Sequence, residues 1–221
     1  MPEFDSHHAL ASRSRLIDSL VEDLAPVRVA RSWRSAVLLW LGLSWVFVTS
    51  AVLLTGPLRT SAASVFTQSP SALLEFALGL AAGLTAIIAG LEMGVPGTPH
   101  TRRLFVLPAV LMAGWVGMIV YAMSNPSFEV SMLGKREHCF IESMVFATPP
   151  YFLALWLLRE RMPQFQAGAV LLTGAAAGAI PALWMQLACM NDPLHALQFH
   201  LTPILATAVA GALIGHFAFR K

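Results

Sequence analysis

The sequence contains two cysteines, and each lies in a segment that also carries histidines and acids. Cys139 stands in GKREHCFIE, and Cys189 stands in WMQLACMNDPLHALQFH. Thiolates, imidazoles and carboxylates are ligands for soft or borderline metal ions, and two thiols can also oxidise to a disulfide. The candidate metal ligands are the two cysteines with Glu137, His138, His195 and His200. Their spacing matches no standard zinc motif, so metal binding, disulfide formation and simple packing of small apolar side chains all stay open.

The sequence contains no motif that indicates enzyme activity. A thiol oxidoreductase of the membrane needs a Cys-x-x-Cys pair or a relay of two disulfides, and two isolated cysteines supply neither. The sequence has no Gly-x-Ser-x-Gly, His-Glu-x-x-His or phosphate-binding glycine loop. We therefore predict that the protein is not an enzyme and requires no cofactor, and that a metal ion would act on it only as a signal.

The elements that must position the cysteines are predicted to be membrane-spanning helices. The 221 residues are 57% hydrophobic and 12% charged, whereas roughly a quarter of the residues of a soluble domain are charged. Six runs free of charge at their centres are close to the ~20 residues needed to cross a bilayer. They are residues 36–55, 73–94, 104–123, 140–158, 167–187 and 201–219. The predicted fold is an all-α integral membrane bundle of six transmembrane helices over residues 36–221, preceded by a segment of residues 1–35.

The basic residues predict how this bundle is oriented. With the amino terminus in the cytoplasm, all lysines and arginines except Arg59, Lys135 and Arg136 lie on the cytoplasmic side. The positive-inside rule favours that arrangement. We therefore expect a bacterial inner-membrane protein with both termini in the cytoplasm and with both cysteines at the periplasmic face.

The segment before the first run contains a predicted amphipathic helix over about residues 14–27. Its aliphatic residues recur at spacings of one, three and four and form one stripe, while the opposite face is acidic. A helix that lies on a membrane surface usually presents Lys or Arg to anionic lipid. The acidic face therefore favours a hydrophobic groove on a partner protein, with a membrane-surface helix and packing against the bundle as the alternatives.

Two acidic residues in the second apolar run indicate a different candidate function. Glu75 and Glu92 lie near its two ends, and carboxylates within membrane helices are candidates for a role in ion or substrate passage. Both are close enough to an interface to reach water. The alternative function is therefore a small six-helix transporter or a metal-permeation protein.

Three segments together resemble one known family. They are LIDSLVEDLAPVR before the first run, GKREHCF before the fourth, and AGAIPALWMQLACMNDPLHALQFH around Cys189. The chain resembles, over nearly its whole length, the NrsF-like proteins, which are six-span inner-membrane anti-sigma factors that hold an extracytoplasmic-function sigma factor inactive. The resemblance implies that the amino-terminal segment binds the sigma factor and that Cys139 and Cys189 belong to a periplasmic sensor of redox or metal stress.

This resemblance also implies the partners and the contact residues. The partners are the sigma factor and the lipid bilayer, with no direct contact to nucleic acid, and a homo-oligomer stays open. The expected contact residues are Leu16, Ile17, Asp18, Leu20, Val21, Asp23, Leu24 and Val27. In the expected mechanism, oxidation or metal capture draws the outer ends of the fourth and fifth helices together, and the repacked bundle releases the sigma factor.

Overall fold

A computed structural model describes residues 17–22, 31–59, 62, 69–95, 101–125, 136–161 and 166–218. The chain divides into two units, residues 1–30 and residues 31–221. In the first unit, residues 17–22 are helical, and the side chains of Ile17, Leu20 and Val21 are exposed. Asp18 in the same turn is also exposed. The other expected contact residues, Leu16, Asp23, Leu24 and Val27, lie outside the described residues.

The second unit consists of long helices in up-and-down order. They are α1 (Trp33–Thr55), α2 (Pro70–Met93), α3 (Thr101–Ser124), α4 (Cys139–Arg159), α5 (Gln166–Ala188), the short α6 (Pro193–His195), a π-helical segment (Ala196–Leu201) and α7 (Thr202–Ala218). The last three follow one another without a break, so six helices are long and apolar enough to cross a membrane. The described residues contain no β-strand. The prediction of an all-α fold with six such helices is confirmed.

Polar residues set where several of these helices begin. The Ser32 and Ser69 hydroxyls accept hydrogen bonds from the first turns of α1 and α2, as N-capping residues do. Asp192 caps α6 in the same way, and Pro193 follows it at the first helical position. The sixth helix therefore begins at Pro193 instead of residue 201, where the apolar run was predicted to begin. The prediction missed two turns because their polar side chains lowered the hydropathy there.

Helix α5 is the centre of the bundle. In its membrane-spanning part 78% of the residues are buried, against 17–44% in the other five helices. Its small residues allow neighbouring backbones to approach closely. A Cβ atom placed on Gly178 would lie 2.8 Å from the Cα atom of Ile204 in α7. A Cβ on Gly83 of α2 would lie 3.0 Å from the Cβ of Ala179. These glycines are therefore used for packing within the chain.

Helix α1 is hydrogen-bonded to α4 and to the turns that flank α4, at both ends of α1 and near its middle. The buried Trp40 indole donates to the backbone carbonyl of Pro150 at 2.8 Å. At one end, Arg161 just beyond α4 donates to the carbonyl of Arg31 at 2.9 Å. At the other end the link is made by Arg136, just before α4. Any change in the position of α4 therefore bears directly on α1.

Candidate functional site

The two cysteines lie at the same end of the bundle, because α4 begins where α5 ends. Cys139 is the first residue of α4, and Cys189 directly follows the last residue of α5. Both thiols are free and buried, and their sulfur atoms are 2.9 Å apart. We call this end of the bundle the thiol end. The outer ends of the fourth and fifth helices, which were expected to be drawn together by a signal, are already in contact in the thiol form.

Two histidines from the sixth helix complete a compact group with the cysteines. The Nε2 atom of His195 lies 3.3 Å from the Cys189 sulfur. The rings of His195 and His200 are nearly perpendicular, with centroids 5.2 Å apart. One ligand atom from each of Cys139, Cys189, His195 and His200 lies within 4.8 Å of every other, and all four residues are buried. We call these four residues the Cys-His cluster.

The π-helical segment explains how two histidines five residues apart join one cluster. In an α-helix, residues four apart share a face, and residues five apart diverge by more than a third of a turn. A π turn hydrogen-bonds residues five apart and is therefore about one residue wider. His195 ends α6 and His200 lies in the π-helical segment, so both project towards the cysteines. No periodicity in the sequence indicates such a turn.

His200 is the most unusual member of the cluster. Its side chain is 1% exposed, and within the described part of the chain neither ring nitrogen has a hydrogen-bonding partner. A buried polar group without a partner costs about 1–3 kcal/mol and calls for an explanation. A metal ion bound by a ring nitrogen would supply the missing partner. Two thiolates and two imidazoles are a common tetrahedral donor set for zinc-like ions.

The other two candidate ligands stand apart from this group. Glu137 and His138 lie in the turn before α4, and their side chains are exposed. His138 occupies the N-cap position of α4 without a side-chain hydrogen bond to the helix. The structure thus brings together Cys139, Cys189 and His195 with His200, and leaves Glu137 and His138 at the surface.

The hydrogen bonds around Cys189 favour its ionised form. The contact with Cys139 lowers the pKa of the Cys189 thiol, burial acts in the opposite direction, and the nearby His200 acts in the same direction as Cys139. The thiolate is the form of cysteine that binds metal ions and attacks oxidants. The site is therefore suited to either chemistry.

Arg136 links Cys139 to the end of α1. The Cys139 thiol donates to the Arg136 backbone carbonyl at 3.3 Å. The guanidinium of Arg136 forms an ion pair with Glu142 at 3.2 Å. It also donates to three groups at the end of α1, namely the carbonyls of Val52 and Gly56 and the hydroxyl of Thr55. A Cβ on Gly56 would lie 3.2 Å from this guanidinium, so the missing side chain makes room for it.

A second arginine links Cys189 to the chain just beyond α1. The Arg59 side chain donates to the Cys189 carbonyl, and its backbone N–H donates to the Leu187 carbonyl, both at 3.4 Å. Burial lowers the pKa of Arg59, against the opposing effect of Cys189. Sequence reasoning used Arg59 and Arg136 only to orient the bundle. Arg136 stands three residues before Cys139, which was a usable signal, whereas the Arg59 contact has no local signal.

A cavity opens at the thiol end beside the Cys-His cluster, with about 80 Å³ of room for water-sized molecules. We call it the side cavity. Its polar lining residues are Arg59, Glu75, Gln186, Asn191, Asp192 and His200. The Glu75 carboxylate accepts a hydrogen bond from the Gln186 amide at 2.8 Å. Glu92 lies 17 residues further along α2, which is about 25 Å away in a helix, so the two acids do not share a site.

The family comparison covers most of the chain. Residues 20–220 match the NrsF family, described as negative regulator of sigma F. No curated protein and no solved structure matches the chain. The matched region contains all six long helices, both cysteines and both cluster histidines. The chain therefore belongs to the NrsF family of negative regulators of sigma F.

Proposed function

We propose that the protein is an inner-membrane anti-sigma factor that binds an extracytoplasmic-function sigma factor through its cytoplasmic amino-terminal segment. In this proposal it releases the sigma factor when the Cys-His cluster, on the periplasmic side, receives a redox or metal signal. The observation that carries the proposal is the family match over residues 20–220. The family's description makes a sigma factor the partner, and the bundle anchors the regulator in a membrane.

The exposed apolar residues of the first unit support the proposed contact. Ile17, Leu20 and Val21 are 58–59% exposed on one short helix, and aliphatic side chains grouped in this way favour binding to a hydrophobic surface. Asp18 and Glu22 give the same helix negative charge, which complements the basic surface of a DNA-binding protein. Because short isolated helices are only marginally stable in water, we expect the bound partner to stabilise this one.

The hydrogen bonds of the thiol end suggest how a signal reaches this segment. Oxidation of Cys139 and Cys189 to a disulfide transfers two electrons to an oxidant and releases the protons that the two sulfur atoms still carry, and metal binding likewise leaves both sulfur atoms deprotonated. In either case the Cys139 thiol can no longer donate to the Arg136 carbonyl. Arg136 also holds the end of α1, and the sigma-binding segment directly precedes α1. We propose that the signal shifts α1 between two positions, because coupling requires such a two-state element.

The first test is co-purification of a co-expressed sigma factor with the full chain and with a chain lacking residues 1–27. We expect the sigma factor to bind the full chain and to be lost on truncation, while the truncated bundle still inserts into the membrane. Equal recovery with both chains would move the contact away from the amino-terminal segment. Recovery with neither chain would overturn the anti-sigma proposal for the partner tested.

The side cavity supports a second candidate function, which is a small transporter or a metal-permeation protein. It contains Glu75, but its lining residues all lie at the thiol end, so this cavity does not cross the bundle. Metal uptake into proteoliposomes tests this function. Uptake that depends on Glu75 and Glu92, and that persists without residues 1–27, would favour transport over regulation.

A further inference from the structure

We propose that the side cavity is the loading site through which a hydrated divalent cation reaches the Cys-His cluster. Glu75 is the carboxylate that first attracts the ion, and His200 is the ligand that the cavity and the cluster share. This inference rests on the metal branch of the proposed function. It assigns the cavity a borderline or soft cation such as Zn²⁺, Co²⁺ or Cd²⁺.

The burial of the cluster creates the need for such a route. All four cluster residues are buried, and a metal site requires a path by which the ion can enter. Of the four, His200 is the one that lines the side cavity. The cavity is wide enough for several water-sized molecules, because one water needs about 10–15 Å³ by the same measure. A partly hydrated ion can therefore reach the His200 ring without unfolding of the bundle, and a rotation of the ring would expose its buried nitrogens to the ion.

The charges of the cavity wall favour a cation over an anion. Glu75 and Asp192 are carboxylates, and Arg59 is the one charged basic group among the described lining residues. Each carboxylate is held in place, Glu75 by Gln186 and Asp192 by the Leu194 backbone N–H. The Cys189 carbonyl takes up one of the Arg59 donors. Carboxylates that line a cleft raise the local concentration of cations and their rate of binding.

The ligands change from oxygen atoms in the cavity to nitrogen and sulfur atoms in the cluster, and this change favours movement of the ion towards the cluster. Carboxylate and amide oxygens bind zinc-like ions less strongly than imidazole and thiolate groups do, whereas Mg²⁺ and Ca²⁺ prefer oxygen. A zinc-like ion is therefore expected to move from Glu75 towards His200 and the thiolates. Because His200 lines the cavity and its ring also lies within the Cys-His cluster, it can take the ion from the cavity and share it with the thiolates.

The test is the rate at which Cd²⁺ binds the purified full-length protein, followed by the absorbance of cadmium–thiolate bonds after rapid mixing. We expect Glu75→Gln to lower the binding rate about tenfold and to leave the final absorbance unchanged. The matched control is Glu92→Gln, which removes a carboxylate from the other end of the same helix and should bind at the wild-type rate. Glu75→Asp keeps a carboxylate at this position and should bind at close to the wild-type rate, so a slow Glu75→Gln beside a normal Glu75→Asp traces the effect to the charge and not to a fold defect.

Three outcomes would overturn the inference. Equal rates for wild type and Glu75→Gln would show that the ion does not pass the Glu75 carboxylate. Loss of final absorbance in folded Glu75→Gln would show that Glu75 supports the cluster itself. If the wild-type protein shows no cadmium–thiolate absorbance, no ion reaches the cluster. Co-purification of the sigma factor is measured separately, so the anti-sigma proposal can stand when this inference fails.

Discussion

The Cys139 thiol donates a hydrogen bond to the backbone carbonyl of Arg136 at 3.3 Å, and the guanidinium of the same arginine holds the end of α1. One residue thus contacts both the Cys-His cluster and the helix that follows the amino-terminal segment. The Arg136 side chain is 9% exposed, so its bonds to α1 are largely shielded from water. We therefore propose that Arg136 is a positioning residue for the signal transfer.

Arg136→Gln is expected to separate sensing from release. Glutamine cannot reproduce the fork of charged donors that contacts Val52, Gly56 and Glu142. We therefore expect the variant to bind the sigma factor and Cd²⁺ as the wild type does, but to keep the sigma factor bound when Cd²⁺ is added. Charged hydrogen bonds contribute about 1.5–3 kcal/mol each, so thermal unfolding should also occur at a lower temperature. The measurement is the fraction of sigma factor released from immobilised protein.

The control for this variant is Arg103→Gln, which removes an exposed arginine from the first turn of α3 at the opposite end of the bundle. It should release the sigma factor as the wild type does. If Arg136→Gln also releases its partner normally, the route through Arg136 is wrong. A general loss of fold would instead appear as failure to bind Cd²⁺.

Cys139→Ser combined with Cys189→Ser is expected to remove the response while keeping repression. Serine is close to cysteine in size, and neither hydroxyl forms a disulfide or binds a soft metal. A reporter gene driven by the sigma factor should therefore stay silent with and without stress. Normal induction in this variant would exclude the cysteines from signalling, and permanent induction would show that the thiols are needed for sigma-factor binding itself.

Particular residues show how far the sequence could predict this fold and site. Runs such as 36–55 predicted the spanning helices because their length and hydropathy are local properties. The position of His195 and His200 beside the cysteines depends on the π-helical segment Ala196–Leu201, which no sequence period predicted. The contact of Arg59 with Cys189 joins residues far apart in the chain, so it could be known only after folding. The amino-terminal contact residues and the metal ligands remain predictions.

His200→Phe is expected to have opposite effects on stability with and without metal. The His200 nitrogens are buried without hydrogen-bonding partners in the described part of the chain, and an apolar ring of similar shape removes that cost of about 1–3 kcal/mol. The metal-free variant should therefore unfold at a higher temperature than the wild type. In the presence of Zn²⁺ the order should reverse, since ligand binding stabilises only the protein that retains its site. The measurement is thermal unfolding in detergent with EDTA or with Zn²⁺.

His138→Phe provides the matched control for His200→Phe. His138 is exposed and stands next to Cys139 in sequence, but it is not part of the Cys-His cluster. We expect its replacement to leave both unfolding temperatures close to those of the wild type. Loss of zinc stabilisation in His138→Phe but not in His200→Phe would place the metal site at the surface turn instead of the cluster.

Gly178→Ala is expected to destabilise the bundle through the contact between α5 and α7. The new methyl group would lie 2.8 Å from the Cα atom of Ile204, and backbone cannot yield as easily as a flexible side chain. Overpacking of this kind costs about 1–3 kcal/mol, so the thermal unfolding temperature should fall.

Gly42→Ala is the control, because nothing lies within 4 Å of the position of its new methyl group. Alanine favours a helix over glycine by about 1 kcal/mol, so Gly42→Ala should be neutral or stabilising. Equal effects of the two substitutions would mean that the close approach of α5 and α7 does not hold the bundle together.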